Sequence, residues 1–304
     1  MQSTLRKKRR FHKKWIFYIC AVAWPVIQFV VFYIFVNFNS ILLSVREMNY
    51  YTQSWDFAGL KNFKEVFYRL ENVGYMGTAF KNTFTIFFIH LAAMFLPIIL
   101  AYYIFKKYPL HGLFKIFLFL PSVISSVIMV LCYKYFVEVA VPSLAEQVFH
   151  IEGMTGLLSN PETKWGALIF YSVWFGMGGS FLLYLGTMSG ISESILEAGA
   201  LDGVNPIQEF FYIVFPMIYP TFVTFMITSF ATIFTNQLNL FTFYGDKAEY
   251  AYYTVGYYMY SQVRSATIGE YPFFAAFGLF LTAIAVPLCL GMKWLLNKLG
   301  PKTM

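Results

Sequence analysis

The chain has 304 residues, of which 59% are hydrophobic, 21% aromatic and only 12% charged, with a net charge of +7. Soluble domains carry about a quarter charged residues, so a soluble enzyme or binding module is excluded and a polytopic membrane protein is left. The positive balance is no nucleic-acid signature, because seven of the 22 basic residues crowd into residues 6–14, directly before the first apolar run.

A membrane span needs about 20 apolar residues. Six stretches qualify, at about 15–38, 83–105, 114–137, 165–188, 213–236 and 273–297. They are long continuous runs, not ten-residue alternations, so the fold class is all-α with six transmembrane helices. The first run is too long for a signal-peptide core, and no small-residue cleavage site follows it. Cys20, Cys132 and Cys289 all fall within spans, which argues against a disulfide framework. No internal repeat or low-complexity linker interrupts residues 1–304, which read as a single transmembrane domain.

Orientation follows from the basic residues. Arg6, Lys7, Lys8, Arg9, Arg10, Lys13 and Lys14 precede span 1. Lys106, Lys107 and Lys115 join spans 2 and 3, and Lys293, Lys298 and Lys302 follow span 6. Six spans put all three groups on one side, so both termini are expected in the cytoplasm of a multi-pass cell-membrane protein. Between spans 1 and 2, Phe63, Val66 and Phe67 recur at helical spacing within Asn62–Leu70. They predict a short helix at the outer face. Residues 138–164 and 237–272 read as further outer loops, and Tyr in the second suits the headgroup level. Either loop could be a solvated surface or the dock for an external protein. Lys134, near the end of span 3, either pairs with Glu138 at i+4 or snorkels to the outer interface.

The loop at 192–216 has a different character. It carries Glu193, Glu197, Asp202 and Glu209 and no Lys or Arg, although parity puts it on the cytoplasmic side. Such a loop is written for a partner with basic groups. Ser194 and Glu197 have the spacing of a capping box that starts a helix. Gly203 can stop it, because glycine enters the left-handed conformation without a Cβ penalty. Asn205, Pro206 and Gln208 then restart the chain as a second capping box with proline at the first helical position. The small residues Ala198, Gly199 and Ala200 form a face able to sink into a groove.

Glu197-Ala198-Gly199-x-x-Asp202-Gly203, followed by Phe210, Ile213 and Pro216, resembles the EAA loop of binding-protein-dependent ABC importer permeases, most closely the carbohydrate type that includes the maltose permeases. Gly199 and Val204 depart mildly from the family's small-residue pattern. Phe57-Ala58-Gly59-Leu60-Lys61-Asn62-Phe63 resembles the family's F-x-G-L-x-N-F, and Lys81-Asn82-Thr83 resembles its cap on span 2. The resemblance implies the type I ABC importer permease fold. It also implies that Glu197, Ala198, Gly199, Ala200, Asp202 and Gly203 form a coupling helix docked on an ATPase subunit. The implied partners are a second homologous permease, two ATP-binding subunits and an extracytoplasmic sugar-binding protein, all in contact with membrane lipid. ATP and magnesium would be bound by the partner ATPase, and no cofactor by this chain.

Span 5 carries the candidate cargo site. At ~100° per residue, Thr221, Thr224, Thr228, Ser229, Thr232, Thr235 and Asn236 occupy about 140° of the helix circle. A polar stripe in a span faces protein or water, not lipid. It serves either as interhelical glue or, for Ser229, Thr232 and Asn236, as the wall of a cargo path. By the resemblance, Ser229 and Asn236 match sugar-contacting positions. So do Ser122 and Ser126 in span 3, while Trp174 and Gly176 in span 4 match a pocket-lining W-x-G. Ile233 stands where the maltose type has a second Asn.

The chain contains no G-x-x-x-x-G-K-[ST] loop. Its histidines (His12, His90, His111, His150) have no metal-ligand spacing, and no nucleophile elbow is present. The reading is therefore a non-enzymatic permease subunit of an ATP-driven importer of a sugar, with an oligosaccharide expected. The alternative is a self-sufficient secondary transporter or channel for a small polar solute, against which stands the lack of a carboxylate relay within the spans.

Overall fold

The structure, a computed structural model, describes Trp15 and residues 17–301. The basic cluster at residues 6–14 and Lys302, on which the orientation partly rests, lie outside the described residues. Among the described residues, six helices are long and apolar enough to cross a membrane: Phe17–Ser44, Gly74–Phe105, Ser126–Phe149, Pro161–Ser189, Pro206–Ala231 and Ile268–Leu299. They are called spans 1 to 6 below. The described chain forms two compact units, one running to Arg69 and taking in Ser265–Phe280, the other made of Leu70–Arg264 with the residues from Leu281 onward.

In the first unit, span 1 exposes apolar side chains along its length, among them Trp24, Phe32 and Phe35. A hairpin that the sequence pattern did not announce follows it. Strand β1 (Arg46–Asn49) pairs antiparallel with β2 (Ser54–Phe57). Asn49 shapes the turn, its side-chain oxygen accepting the amides of Tyr51 and Thr52 at 3.0 and 3.3 Å in the manner of an Asx turn. The expected amphipathic helix is present as Lys61–Asn72, with Val66 fully buried. The asparagine of the F-x-G-L-x-N-F stretch has a mechanical role. Asn62 Nδ2 donates to Ser44 O at 2.9 Å and Arg46 O at 2.8 Å, pinning the helix to the base of the hairpin.

In the second unit, span 3 departs from its expected course. The stretch predicted as one helix over 114–137 is two, His111–Val123 and one beginning at Ser126, with Ile124 and Ser125 extended between them. Pro121, which has no N–H for the helical ladder, lies inside the first of these helices, ahead of the break. Gly178 of span 4 packs on the short helix so closely that a Cβ would lie 3.0 Å from Leu118 O and from Ser122 Cβ.

Two local expectations fail for the same reason, that long-range partners win over local ones. Asn82 and Thr83 do not cap span 2. They lie inside its helix, where Asn82 Nδ2 donates to Ala251 O and Tyr253 O (2.8 and 2.9 Å) and Thr83 Oγ1 accepts the Val255 amide (2.9 Å). Glu138 does not pair with Lys134. Its carboxylate accepts Leu158 N–H at 2.7 Å and Ser159 Oγ at 2.5 Å, because Gly156 lets the 156–159 loop close over it. Lys134 instead lies 5.8 Å from the Tyr244 ring. The buried cation of this region is Lys164, which is ion-paired with Glu249 and sits 4.9 and 4.7 Å from the Tyr244 and Tyr252 rings. Burial pushes the Tyr244 hydroxyl up to about 12, with the Glu138 and Glu249 carboxylates adding to the shift.

Candidate functional site

The 192–216 loop is built from two helices at a corner. The first, Glu193–Leu201, starts after Ser192, not at a Ser194–Glu197 box. Helical geometry begins one residue ahead of the expected cap, and the hydroxyls of Ser192 and Ser194 bond each other at 2.7 Å. Gly203 ends the corner with φ +75°, the left-handed position that glycine takes without a Cβ clash. The second capping box is present in full. Gln208 N–H donates to Asn205 Oδ1 at 2.9 Å, Asn205 N–H donates to Gln208 Oε1 at 3.0 Å, and Pro206 opens the helix.

Span 5 therefore begins at the corner itself. Its next turn, Phe210–Val214, is widened, with the Phe215 N–H bonding Phe210 O five residues back. Pro216 offers no N–H to Tyr212 O and crowds that carbonyl, so one extra residue is accommodated.

Glu197, Asp202, Ala198 and Ala200 are exposed, but Gly199 is buried. A Cβ on Gly199 would lie 2.6 Å from Ile213 Cδ1. Its smallness therefore serves packing of the loop onto its own span, which corrects the reading of all three small residues as one outward face. The outward apolar surface is supplied by residues that spacing does not single out: Leu201, 89% exposed, and Ile207, 70% exposed.

The far end of span 5 stops at Ala231, followed by a turn over 232–235. Helical angles therefore fail for Thr235 and Asn236, whereas Thr232 caps the helix with its N–H still bonded to Thr228 O at 3.0 Å. Most threonines of the stripe are engaged locally. Thr224, Thr228 and Thr232 donate to carbonyls four residues back at 2.8–2.9 Å. Thr221 meets Thr187 of span 4 at 3.2 Å, which is the glue role.

Ser229, Thr232 and Asn236 nevertheless come together. They line a cavity of ≈ 80 Å³ with Thr83, His90 and Thr254. Ser229 and His90 also line a second cavity, ≈ 450 Å³, with Ser172, Gly176, Ser180 and Phe225. Ligand sites run to about 300–1,000 Å³, so the larger is of suitable size. Asn236 is partly committed. Its Oδ1 accepts the Leu238 amide at 2.9 Å and its backbone O accepts Thr254 Oγ1 at 2.7 Å. The carboxamide NH2 is then the group with which Asn236 can meet a ligand.

Three candidates lie elsewhere. Ser122 and Ser126 flank the break in span 3, Ser122 donating to Phe119 O at 2.7 Å. Trp174 is half-buried, its ring 5.7 Å from that of Phe117, and its indole N–H is buried without a partner among the described residues. None of the three lines either cavity. His90 escapes sequence reasoning because a lone histidine carries no spacing signal. Its Nε2 lies 3.0 Å from Ser172 Oγ, 82 residues away in sequence.

No family model matches the chain. The sn-glycerol-3-phosphate transport system permease UgpA of Pectobacterium atrosepticum is 25% identical over 214 residues, covering 69% of this chain and 70% of that one. The starch-degradation-product permease AmyD of Thermoanaerobacterium thermosulfurigenes is 26% identical over 221 residues, 72% and 73% of the two chains. The maltose/maltodextrin permease MalF of Photorhabdus laumondii is 30% identical over 130 residues, 41% of this chain and 24% of that longer one. Among solved structures, a bacterial ABC transporter that imports the acidic polysaccharide alginate matches with a TM-score of 0.74 at 19% identity, covering 97% of this chain and 99% of that one. Sequence relatives and fold agree: the chain is a multi-pass membrane protein with the fold of an ABC importer permease, similar in sequence to the permeases of carbohydrate uptake systems.

Proposed function

We propose that the chain is the membrane-spanning subunit of an ATP-driven importer whose cargo is a sugar. Its working partners are a second permease, two ATPase subunits that bind ATP and magnesium, and an extracytoplasmic binding protein. Both termini and the 192–216 loop face the cytoplasm. One observation carries the reading. The exposed acidic corner and the polar residues Ser229, Thr232 and Asn236 lie at the two ends of span 5, so displacement at one end reaches the other through a single helix.

In this reading Glu197 and Asp202 meet basic groups on the ATPase, while Leu201 and Ala198 supply apolar contact. Such a contact is partly wet, and exposed ion pairs contribute only about 0–1 kcal/mol each, so the apolar area carries most of the docking. ATP binding draws the ATPase pair together and moves the loop, and span 5 tilts the cavities from one side of the membrane to the other. The cavity walls offer hydroxyls, an imidazole, an amide and the Phe225 ring, which suits a polyhydroxylated cargo with apolar ring faces. Ser122, Ser126 and Trp174, at the break in span 3 and its packing partner, complete the path on the open side.

Affinity purification of the tagged chain from native membranes in mild detergent, with the stoichiometry of every co-purifying chain, tests the assignment. A second six-span protein and two copies of an ATPase carrying the phosphate-binding loop are expected. A lone chain or a homodimer without ATPase, across several detergents, overturns it and favours a secondary transporter.

A further inference from the structure

The polar contacts that tie the loop to the rest of the second unit converge on one residue. Glu209 is 8% exposed. Its carboxylate lies 2.9 Å from Lys106 Nζ and 3.3 Å from the Tyr102 hydroxyl. The same hydroxyl donates to Pro206 O at 2.9 Å, and the Tyr102 ring lies 5.1 Å from that of Phe210. Tyr102 and Lys106 stand at the end of span 2, whereas Pro206, Glu209 and Phe210 belong to the helix that restarts the chain after the corner. On the other side of that corner, Glu193, Glu197 and Asp202 are exposed.

We propose that Glu209 is a positioning residue that joins the loop's second helix to the end of span 2, so that movement of the loop carries span 2 as well as span 5. The proposal rests on the coupling reading of the loop but concerns residues that do not face the ATPase. Separating Glu209 from Lys106 would leave a charge uncompensated in a low-dielectric site, which is far costlier than sliding two apolar surfaces. The joint therefore holds its geometry while the loop moves. The first turn of span 5 continues into the rest of that span through the widened turn at Phe210–Val214. The loop is thus joined to span 2 by an ionic contact and to span 5 by the backbone.

The test uses the purified complex in lipid nanodiscs with its binding protein present, and reads the rate of ATP hydrolysis and the amount of ATPase retained. Lys106→Glu and Glu209→Lys are each expected to lower hydrolysis about tenfold or more while the ATPase stays bound, because each sets two like charges side by side in a partly buried contact. The double reversal restores the rate to within about threefold, and Lys106→Arg keeps it within about twofold. Tyr102→Phe, which keeps the ring and folds, loses about threefold through one hydrogen bond. Wild-type rates in both single reversals, a double reversal no better than the singles, or loss of the ATPase from the singles would each overturn the joint. Ala198→Trp separates the two readings. Retention of ATPase and hydrolysis in that variant sinks the coupling reading, whatever the Glu209 variants do.

Discussion

Gly256→Ala is a one-methyl perturbation aimed at the geometry of the candidate cargo site. Gly256 lies buried in the helix Val255–Ser265. A Cβ there would sit 2.7 Å from Asn236 O and 2.7 Å from the carbonyl carbon of Thr235. That is about 0.6–0.9 Å inside the ~3.3–3.6 Å of a close C–H···O contact. Both neighbours are backbone atoms, held in place by the Thr254 hydroxyl bond to Asn236 O, so no side chain can swing aside. Overpacking costs about 1–3 kcal/mol and the helix regains about 0.5–1 kcal/mol from losing a glycine. A net destabilisation of about 0–2.5 kcal/mol, centred near 1, follows.

The strain is relieved by shifting the 235–236 turn, which carries Asn236 away from Ser229 and Thr232. One displaced hydrogen bond is worth about 1 kcal/mol, or roughly a fivefold rise in the half-saturating cargo concentration. Thermal unfolding of the purified protein reads the first effect. Uptake of the sugar held by the co-purifying binding protein reads the second. Gly166→Ala in span 4, where an added Cβ meets nothing within 4 Å, is the control and should unfold no earlier than wild type. A Gly256→Ala variant with wild-type midpoint and half-saturation would refute the reasoning.

Other outcomes follow from the same geometry. Asn82→Asp turns two buried donors into a carboxylate facing Ala251 O and Tyr253 O, and should cost about 3 kcal/mol or more. An unchanged unfolding midpoint would count against the role of Asn82 as the tie between span 2 and the 251–255 segment. Asn236→Asp keeps the acceptor for the Leu238 amide but loses the NH2 donor. Combined with Ser229→Ala it should change cargo affinity about fivefold or more while the assembled complex is retained, and unaltered kinetics would make these residues packing only. Gly203→Pro forces φ to about −65° where the corner needs +75°, and should abolish uptake. Normal uptake in that variant would show that the corner transmits nothing.

The spans and the restart at Asn205 were legible in the sequence because they are local. Twenty apolar residues announce themselves by composition, and Asn205, Pro206 and Gln208 need only each other to make a cap. The break at Ile124–Ser125 was not legible, since apolar content does not record where a backbone leaves the helix. Nor was the end of span 5 at Ala231, which put wrong angles on Thr235 and Asn236 even though Ser229, Thr232 and Asn236 do share a cavity. Residues defined by distant packing were missed or given another role. His90 acquires its place from Ser172 and Ser229, Thr83 from Val255, and Gly199 from Ile213. The same holds for Glu209, which reads in sequence as one more acid of a solvent-facing loop and is the one that is buried, because Lys106 and Tyr102 meet it from more than 100 residues away.

The central claim is that the 192–216 loop is the contact with an ATPase. Its most direct test is a Leu201→Cys variant in a background with Cys20, Cys132 and Cys289 replaced, labelled in membranes with a maleimide-benzophenone and irradiated, because the excited ketone inserts into C–H bonds of whatever lies against it. One adduct is expected, the permease joined to an ATPase chain, with a yield that changes when ATP is added. Modification of the thiol introduced at position 201 without any ATPase adduct, in membranes where the ATPase is present, would contradict the claim.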